Sequence, residues 1–151
     1  MLDDTDRHIL NLLQQDAKKS IKEISAELHI TKTPVYERIK RLERDGYITG
    51  YTAIVDPKMV ERSLMVFCAV TLKTHTAENI DAFTEGVRAI PEVIECFVTA
   101  GMFDLILKVV VRDLEAYHEF ASHKLATLPN IDKIQSSFVM TQIKNSTNLP
   151  L

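Results

Sequence analysis

Between Thr31 and Arg44 the chain carries five basic side chains, Lys32, Arg38, Lys40, Arg41 and Arg44, against two acids, Glu37 and Glu43. Val35, Ile39 and Leu42 recur at i, i+4, i+7 within it, which predicts one helix with a buried stripe. A rotation of about 100° per residue puts Thr33, Glu37, Lys40 and Arg44 opposite that stripe, with Tyr36 and Arg41 on its flanks. A helix with a locally basic polar face suits a groove lined by phosphates. Lys32, Lys40, Arg41 and Arg44 would supply charge. Thr33, Tyr36 and Glu37, nearer the helix start, are candidates to approach base edges, and Thr31 just before them is a further DNA-binding candidate.

A second, shorter helix precedes it. Ser20 and Glu23 have the S-x-x-E spacing of a capping box, and Ile21, Ile24 and Leu28 share one face. Ser25 is small where a crossing helix must come close. The chain then turns at His29-Ile30, where His can take a positive φ at some cost. Thr31 or Thr33 can cap the next helix, and Pro34 is tolerated in its first turn. A capped short helix, a tight turn and a basic helix form the sequence pattern of a helix-turn-helix.

The elements that hold this pair in place follow from the rest of the chain. A first helix is predicted from about Asp3 to Gln15, its start favoured by Asp3, Asp4 and Asp6, with Ile9, Leu10, Leu12 and Leu13 as packing surface. Asp45-Gly46 ends the third helix, glycine being usual at that left-handed position. Tyr47 to Pro57 reads as an extended wing or connecting strand. These segments predict a helix-turn-helix domain over 1–50, a linking strand and hinge over 51–62, and a second domain over 63–151.

In the second domain the pattern alternates. Leu64–Leu72, LMVFCAVTL, is apolar on both faces and predicts a strand covered on both sides. A helix over 76–90 buries Ile80, Phe83, Val87 and Ile90; a strand spans 93–99, a turn 100–102 and a strand 103–111. A helix from Asp113 to about Leu128 turns Leu114, Tyr117, Ala121 and Leu125 inward, and 134–143 is the last strand. Pro91 and Pro129 each open a Pro-x-apolar-x-x-apolar stretch after a helix. The order β-α-β-β-α-β is ferredoxin-like, so the fold class is α+β: a winged helix-turn-helix followed by a ferredoxin-like domain. Two helices cover one sheet face, and a second copy of the chain is expected to cover the other, giving a homodimer.

Composition narrows the function. Residues 1–50 hold nine basic and nine acidic side chains, 51–63 two of each, and 64–151 seven basic and ten acidic, which together give the net charge of −3. Basic charge is thus focused on one helix, and tight DNA binding needs several heads used together. No apolar run reaches the roughly 18 residues of a transmembrane helix, and the acidic start lacks the layout of a signal peptide; a cytoplasmic protein is expected. Cys68 and Cys96 read as buried thiols. The five histidines show no metal spacing, and neither a catalytic triad nor a phosphate loop is present, so neither enzyme chemistry nor a metal or cofactor is expected.

At full length the chain resembles the Lrp/AsnC, or feast/famine, transcriptional regulators. The resemblance rests on LDDTDRHILNLLQQDAK, on ISAELHITKTPVYERIKRLERDGYITGYTAIVDP and on ECFVTAGMFDLILKVVVRDLEAY, in this order. It implies a transcriptional regulator that binds double-stranded DNA, dimerises through the second domain and linking strand, often assembles to octamers, and responds to a small effector, commonly an amino acid. Gly101-Met102-Phe103-Asp104 matches the family's Gly-x-aromatic-Asp turn, in which Asp104 would face the ammonium. Asp113, Leu114, Ser136, Ser137 and Val139 match positions that border the effector pocket. Met102 stands where many relatives are polar or acidic, which is compatible with an apolar effector such as leucine or methionine. His29 stands where glycine is usual. The alternative is an architectural DNA-binding protein without an effector.

Overall fold

The computed structural model describes residues 1–151, in two compact units: Met1–Ile54 with Ile143–Leu151, and Val55–Gln142.

The first unit contains three helices, α1 (Asp4–Gln15), α2 (Ile21–Leu28) and α3 (Lys32–Arg44). Asp3 caps α1 through a capping box with Asp6, a pairing the sequence reading treated only as favourable charge. Ser20 and Glu23 form the expected box on α2: the Glu23 amide donates to Ser20 Oγ at 3.3 Å and the Ser20 amide to the Glu23 carboxylate at 2.7 Å. His29 ends α2 in the left-handed region, with φ 54°, a conformation in which the orphan carbonyls of the last turn find donors. The Ile30 amide accordingly donates to the Ser25 carbonyl at 3.1 Å. Thr31 occupies the cap position of α3, but its side chain makes no capping bond. Gly46 follows α3 at φ +78°.

Ile9, Leu10 and Leu12 of α1, Ile24 of α2 and Val35, Ile39 and Leu42 of α3 form one closed core, with Ile48 packed against it. Tyr47–Asp56 forms no strand, because a strand needs a hydrogen-bonding neighbour and a single chain offers none here. Leu149 exchanges two hydrogen bonds with the Gln14 side chain, at 2.6 and 3.2 Å.

The second unit runs β1 (Leu64–Leu72), α4 (Ala77–Arg88), β2 (Val93–Val98), β3 (Leu105–Val111), α5 (Leu114–His123), a 3₁₀ turn (Leu125–Thr127) and β4 (Ile131–Phe138). Its sheet is antiparallel throughout, in the order β2-β3-β1-β4, the ferredoxin-like arrangement. β2 and β4 each begin two residues after the prolines of the internal echo. Val66, Cys68, Val70, Leu105, Leu107 and Val109 pack against Phe83, Val87, Tyr117 and Phe120 on the helical side.

Several boundaries move. The last strand starts at Ile131, not 134, and stops at Phe138. α5 stops at His123, and Phe120 rather than Leu114 supplies its inward bulk. Leu114 is 65% exposed, because it is the first residue of the helix, before the stripe turns inward. β1 is buried on one face only: Phe67 is exposed and Met65 and Ala69 are half-buried. They pair in register with Lys108, Val110 and Ile106, so an apolar face remains open. Cys68 is buried, but Cys96 is exposed because β2 is an edge strand with one neighbour.

Candidate DNA-binding and effector sites

On α3 the buried stripe and the polar face separate as the periodicity requires. Thr31, Lys32, Thr33, Tyr36, Glu37, Lys40 and Arg44 are all exposed. Lys40 Nζ lies 5.9 Å from the centre of the Tyr36 ring, within cation–π range. It also donates to Glu43 at 2.8 Å, and Arg44 pairs with Asp45 at 2.9 Å. The Tyr51 hydroxyl donates to the other Glu43 oxygen at 3.0 Å. Burial, then that carboxylate, push the Tyr51 phenol up to about 12. Glu43 itself is held below its ordinary value by Lys40 and Tyr51.

Arg41 and Arg38 are placed differently. Arg41 reaches back to α1 and pairs with Asp6 at 2.5 Å, while Arg38 bonds Asp6 at 2.7 Å and Asp3 at 2.6 Å. Asp6 is 1% exposed. Sequence periodicity places Arg41 beside the groove-facing residues but cannot show that an acid on another helix takes its charge. The signal was present in part: Asp3 and Asp6 stand together at the N-terminal turn of α1.

In the second unit the expected effector residues fall into two groups. Gly101 and Met102 are exposed in the turn between β2 and β3, Met102 at 85%. Asp104 follows them. Its carboxylate accepts from the Leu72 amide at 2.8 Å and contacts His75 Nε2 at 2.9 Å. The Leu72 hydrogen bond first, then His75, hold its carboxyl below the usual value. A carboxylate has about four lone-pair sites, so it can accept further donors. Thr99 braces the same turn, its amide on the Asp104 carbonyl at 2.8 Å and its hydroxyl on the Phe103 carbonyl at 2.6 Å.

The second group lies at the other end of β1. Ser136, Ser137 and Val139 sit beside Cys68, Phe67 and Met65. Asp113 and Leu114 follow Val111, whose partner is Leu64. Five residues of strand separate Leu72 from Phe67, roughly 17 Å. Ser136 faces the helices: its hydroxyl bonds the Tyr117 hydroxyl, which also lies 3.3 Å from Cys68 Sγ. Burial, then Cys68, push the Tyr117 phenol up to about 12 against the bond to Ser136, and burial pushes the Cys68 thiol up against its bonds to Tyr117 and Ser136. Ser137 pairs with Phe67 on the open face. Asp113 caps α5, accepting from the Ala116 amide at 2.9 Å, and also bonds Arg112 at 2.7 Å. One chain therefore does not bring Asp104 together with Ser137 and Val139.

A cleft of about 470 Å³ lies elsewhere, with Arg62, Glu92, Arg112, Phe120 and Lys124 in its wall, and holds none of the expected effector residues. No cluster of His, Cys, Asp or Glu in the structure has metal-binding geometry. No helix is long and apolar enough to cross a membrane.

Residues 2–49 match a family described as winged helix-turn-helix DNA-binding, and residues 65–149 match the Lrp/AsnC ligand binding domain. The chain belongs to the Lrp/AsnC family. It is a DNA-binding transcriptional regulator rather than an enzyme, as expected from the sequence. Among its Lrp/AsnC relatives, the leucine-responsive regulatory protein of Escherichia coli K12 is 38% identical over 148 residues, 98% of this chain and 90% of that protein. That of Klebsiella pneumoniae matches to the same extent. Among solved structures, a transcriptional regulator from Neisseria meningitidis in complex with L-methionine superposes with a TM-score of 0.95 at 32% identity, covering 99% of this chain and 97% of that one. An AsnC family regulator from Agrobacterium tumefaciens gives 0.94 at 35% identity, with the same coverage.

Proposed function

We propose that this regulator docks α3 in the major groove of double-stranded DNA, works as a homodimer that assembles further, and responds to an apolar amino acid, leucine or methionine. The observation that carries the DNA half is the exposed polar face of α3, from Thr31 and Lys32 through Thr33, Tyr36, Glu37, Lys40 and Arg44, over a stripe that is fully packed. Two such helices in one dimer would enter successive grooves about one helical turn apart.

Self-association is supported by the open sheet face. Met65, Phe67, Ala69, Phe97, Ile106 and Val110 lie on it, and Phe67 and Phe97 are 39% and 50% exposed. Exposed aromatic surface of this kind marks an interface.

The effector half rests on the two groups of residues at opposite ends of β1. In an assembly, the Gly101–Asp104 turn of one copy and the Ser137–Val139 and Asp113–Leu114 end of another supply the two sides of one pocket. Asp104 takes the ammonium, and the exposed Met102 and Leu114 take the apolar side chain. The leucine-responsive relatives and the methionine-bound neighbour point to the same ligand class.

The test is thermal stability against each amino acid. A ligand at a hundred times its dissociation constant adds about 2.7 kcal/mol. A shift with leucine or methionine, abolished in Asp104→Asn, supports the reading. No shift with any amino acid would leave an architectural DNA-binding protein as the better account.

A further inference from the structure

We infer that Asp6 sets the DNA selectivity of the head by withholding Arg38 and Arg41 from phosphate. The inference rests on α3 being the DNA-facing helix.

The cations of α3 fall into two classes. Lys40 and Arg44 pair with Glu43 and Asp45 in solvent, their side chains 56% and 74% exposed. Such pairs are screened and exchange readily for a phosphate. Lys32 is exposed as well. Arg38 and Arg41 instead converge on one carboxylate that is 1% exposed. Each takes a different oxygen of Asp6, and Asp3 adds a third contact through Arg38. The two acids are themselves fixed by the capping box: the Asp6 amide donates to Asp3 at 2.8 Å and the Asp3 amide to Asp6 at 3.2 Å. A guanidinium leaving for DNA would abandon a buried carboxylate, which water cannot solvate in its place.

α3 thus presents three exchangeable cations rather than five. Its contribution to the salt slope should be about −2.7 per head instead of about −4.5, at roughly −0.9 per phosphate contact. Non-specific affinity falls with each withheld cation, whereas Thr33, Tyr36 and Glu37 are untouched. The ratio of selective to non-specific binding rises accordingly.

The experiment uses the full-length protein, a duplex recovered by the wild type from a random pool, and a scrambled duplex of the same composition. Affinity for both is followed across salt concentration. Arg44→Gln is the control: a slope shallower by about 0.9 per head shows that α3 meets phosphate. If it is unchanged, the docking of α3 fails and the inference with it. With that control met, Arg41→Gln should leave the slope at the wild-type value; a loss equal to that of Arg44→Gln overturns the inference. Asp6→Asn should steepen the slope by up to about 1.8 per head and tighten the scrambled duplex more than the selected one. A folded Asp6→Asn with the wild-type slope overturns the inference. Should Asp6→Asn fail to fold by circular dichroism, Arg41→Gln and Arg38→Gln decide the matter by the same slope.

Discussion

On α3, Thr33, Tyr36, Glu37, Lys40 and Arg44 stand on one exposed face of a single helix, whereas the eight expected effector residues occupy a turn, a helix start and a strand at both ends of β1. The head carries its chemistry as a finished surface. On the proposed reading, the sheet domain carries two halves of a pocket that a second molecule would join. A function written on one helix can be read from periodicity in a single chain. A function written across an assembly cannot, because the residues that share a pocket are neighbours in no single copy.

This contrast can be broken most forcefully through the cores. The two units have separate hydrophobic cores, and Phe83 is wholly buried in that of the sheet. Phe83→Ala should cost about 3–5 kcal/mol of sheet-domain stability and leave the helical unit's own unfolding unchanged. Urea titration followed by hydrogen exchange separates the two. A matching loss of protection in α1–α3 would mean that the units unfold as one.

Next in size is Phe67→Glu on the open face. If that face joins copies as proposed, a charge there should leave monomers in sedimentation while the circular dichroism stays folded. An unchanged mass would move the interface elsewhere.

Asp104 sharpens the other side of the comparison. Its carboxyl is held below the ordinary value of 3.8 by the Leu72 amide and then His75. A depressed carboxyl stabilises the fold above its unfolded value, and that contribution disappears as pH falls through the folded one. Stability of the wild type should therefore drop more steeply below about pH 4 than that of Asp104→Asn. Equal slopes would show that the hydrogen bond from Leu72 contributes nothing to the fold.

The smallest effect is expected at Gly101. Nothing lies within 4 Å of the space a Cβ would fill, and its φ is not positive. Gly101→Ala should change unfolding free energy by less than about 0.5 kcal/mol, yet weaken the thermal response to leucine or methionine. A retained response would remove this turn from the pocket.

Much of the fold was legible in the sequence. Ile24, Val35, Ile39 and Leu42 fell where helical periodicity placed them, and His29 took the left-handed turn. The alternation of strands and helices gave the sheet, and the two prolines marked its returning strands. What escaped depended on contacts between distant segments. Asp6 and Arg41 are 35 positions apart, and no local pattern joins them. The exposure of Cys96 follows from the place of β2 at the sheet edge, and that of Leu114 from its position at the helix start. The divided placement of Ser136 and Ser137 follows from strand alternation alone, since neighbours in a strand face opposite sides. It was available from the sequence once a strand was assigned there.

The strand order β2-β3-β1-β4 has a consequence for synthesis. The central strand, LMVFCAVTL, leaves the ribosome before either of its neighbours. Its first partner is complete only at Val111 and its second only at Phe138. The helical head can close its core by Ile48, whereas β1 must wait as an unpaired apolar segment of strong β-propensity. Domains fold as units in the order they are made, and waiting strands of this kind are where nascent chains aggregate. The head is thus folded early and the sheet is held open late. The interval between Leu72 and Val111 is where a growing chain of this regulator is most exposed to mispairing with another.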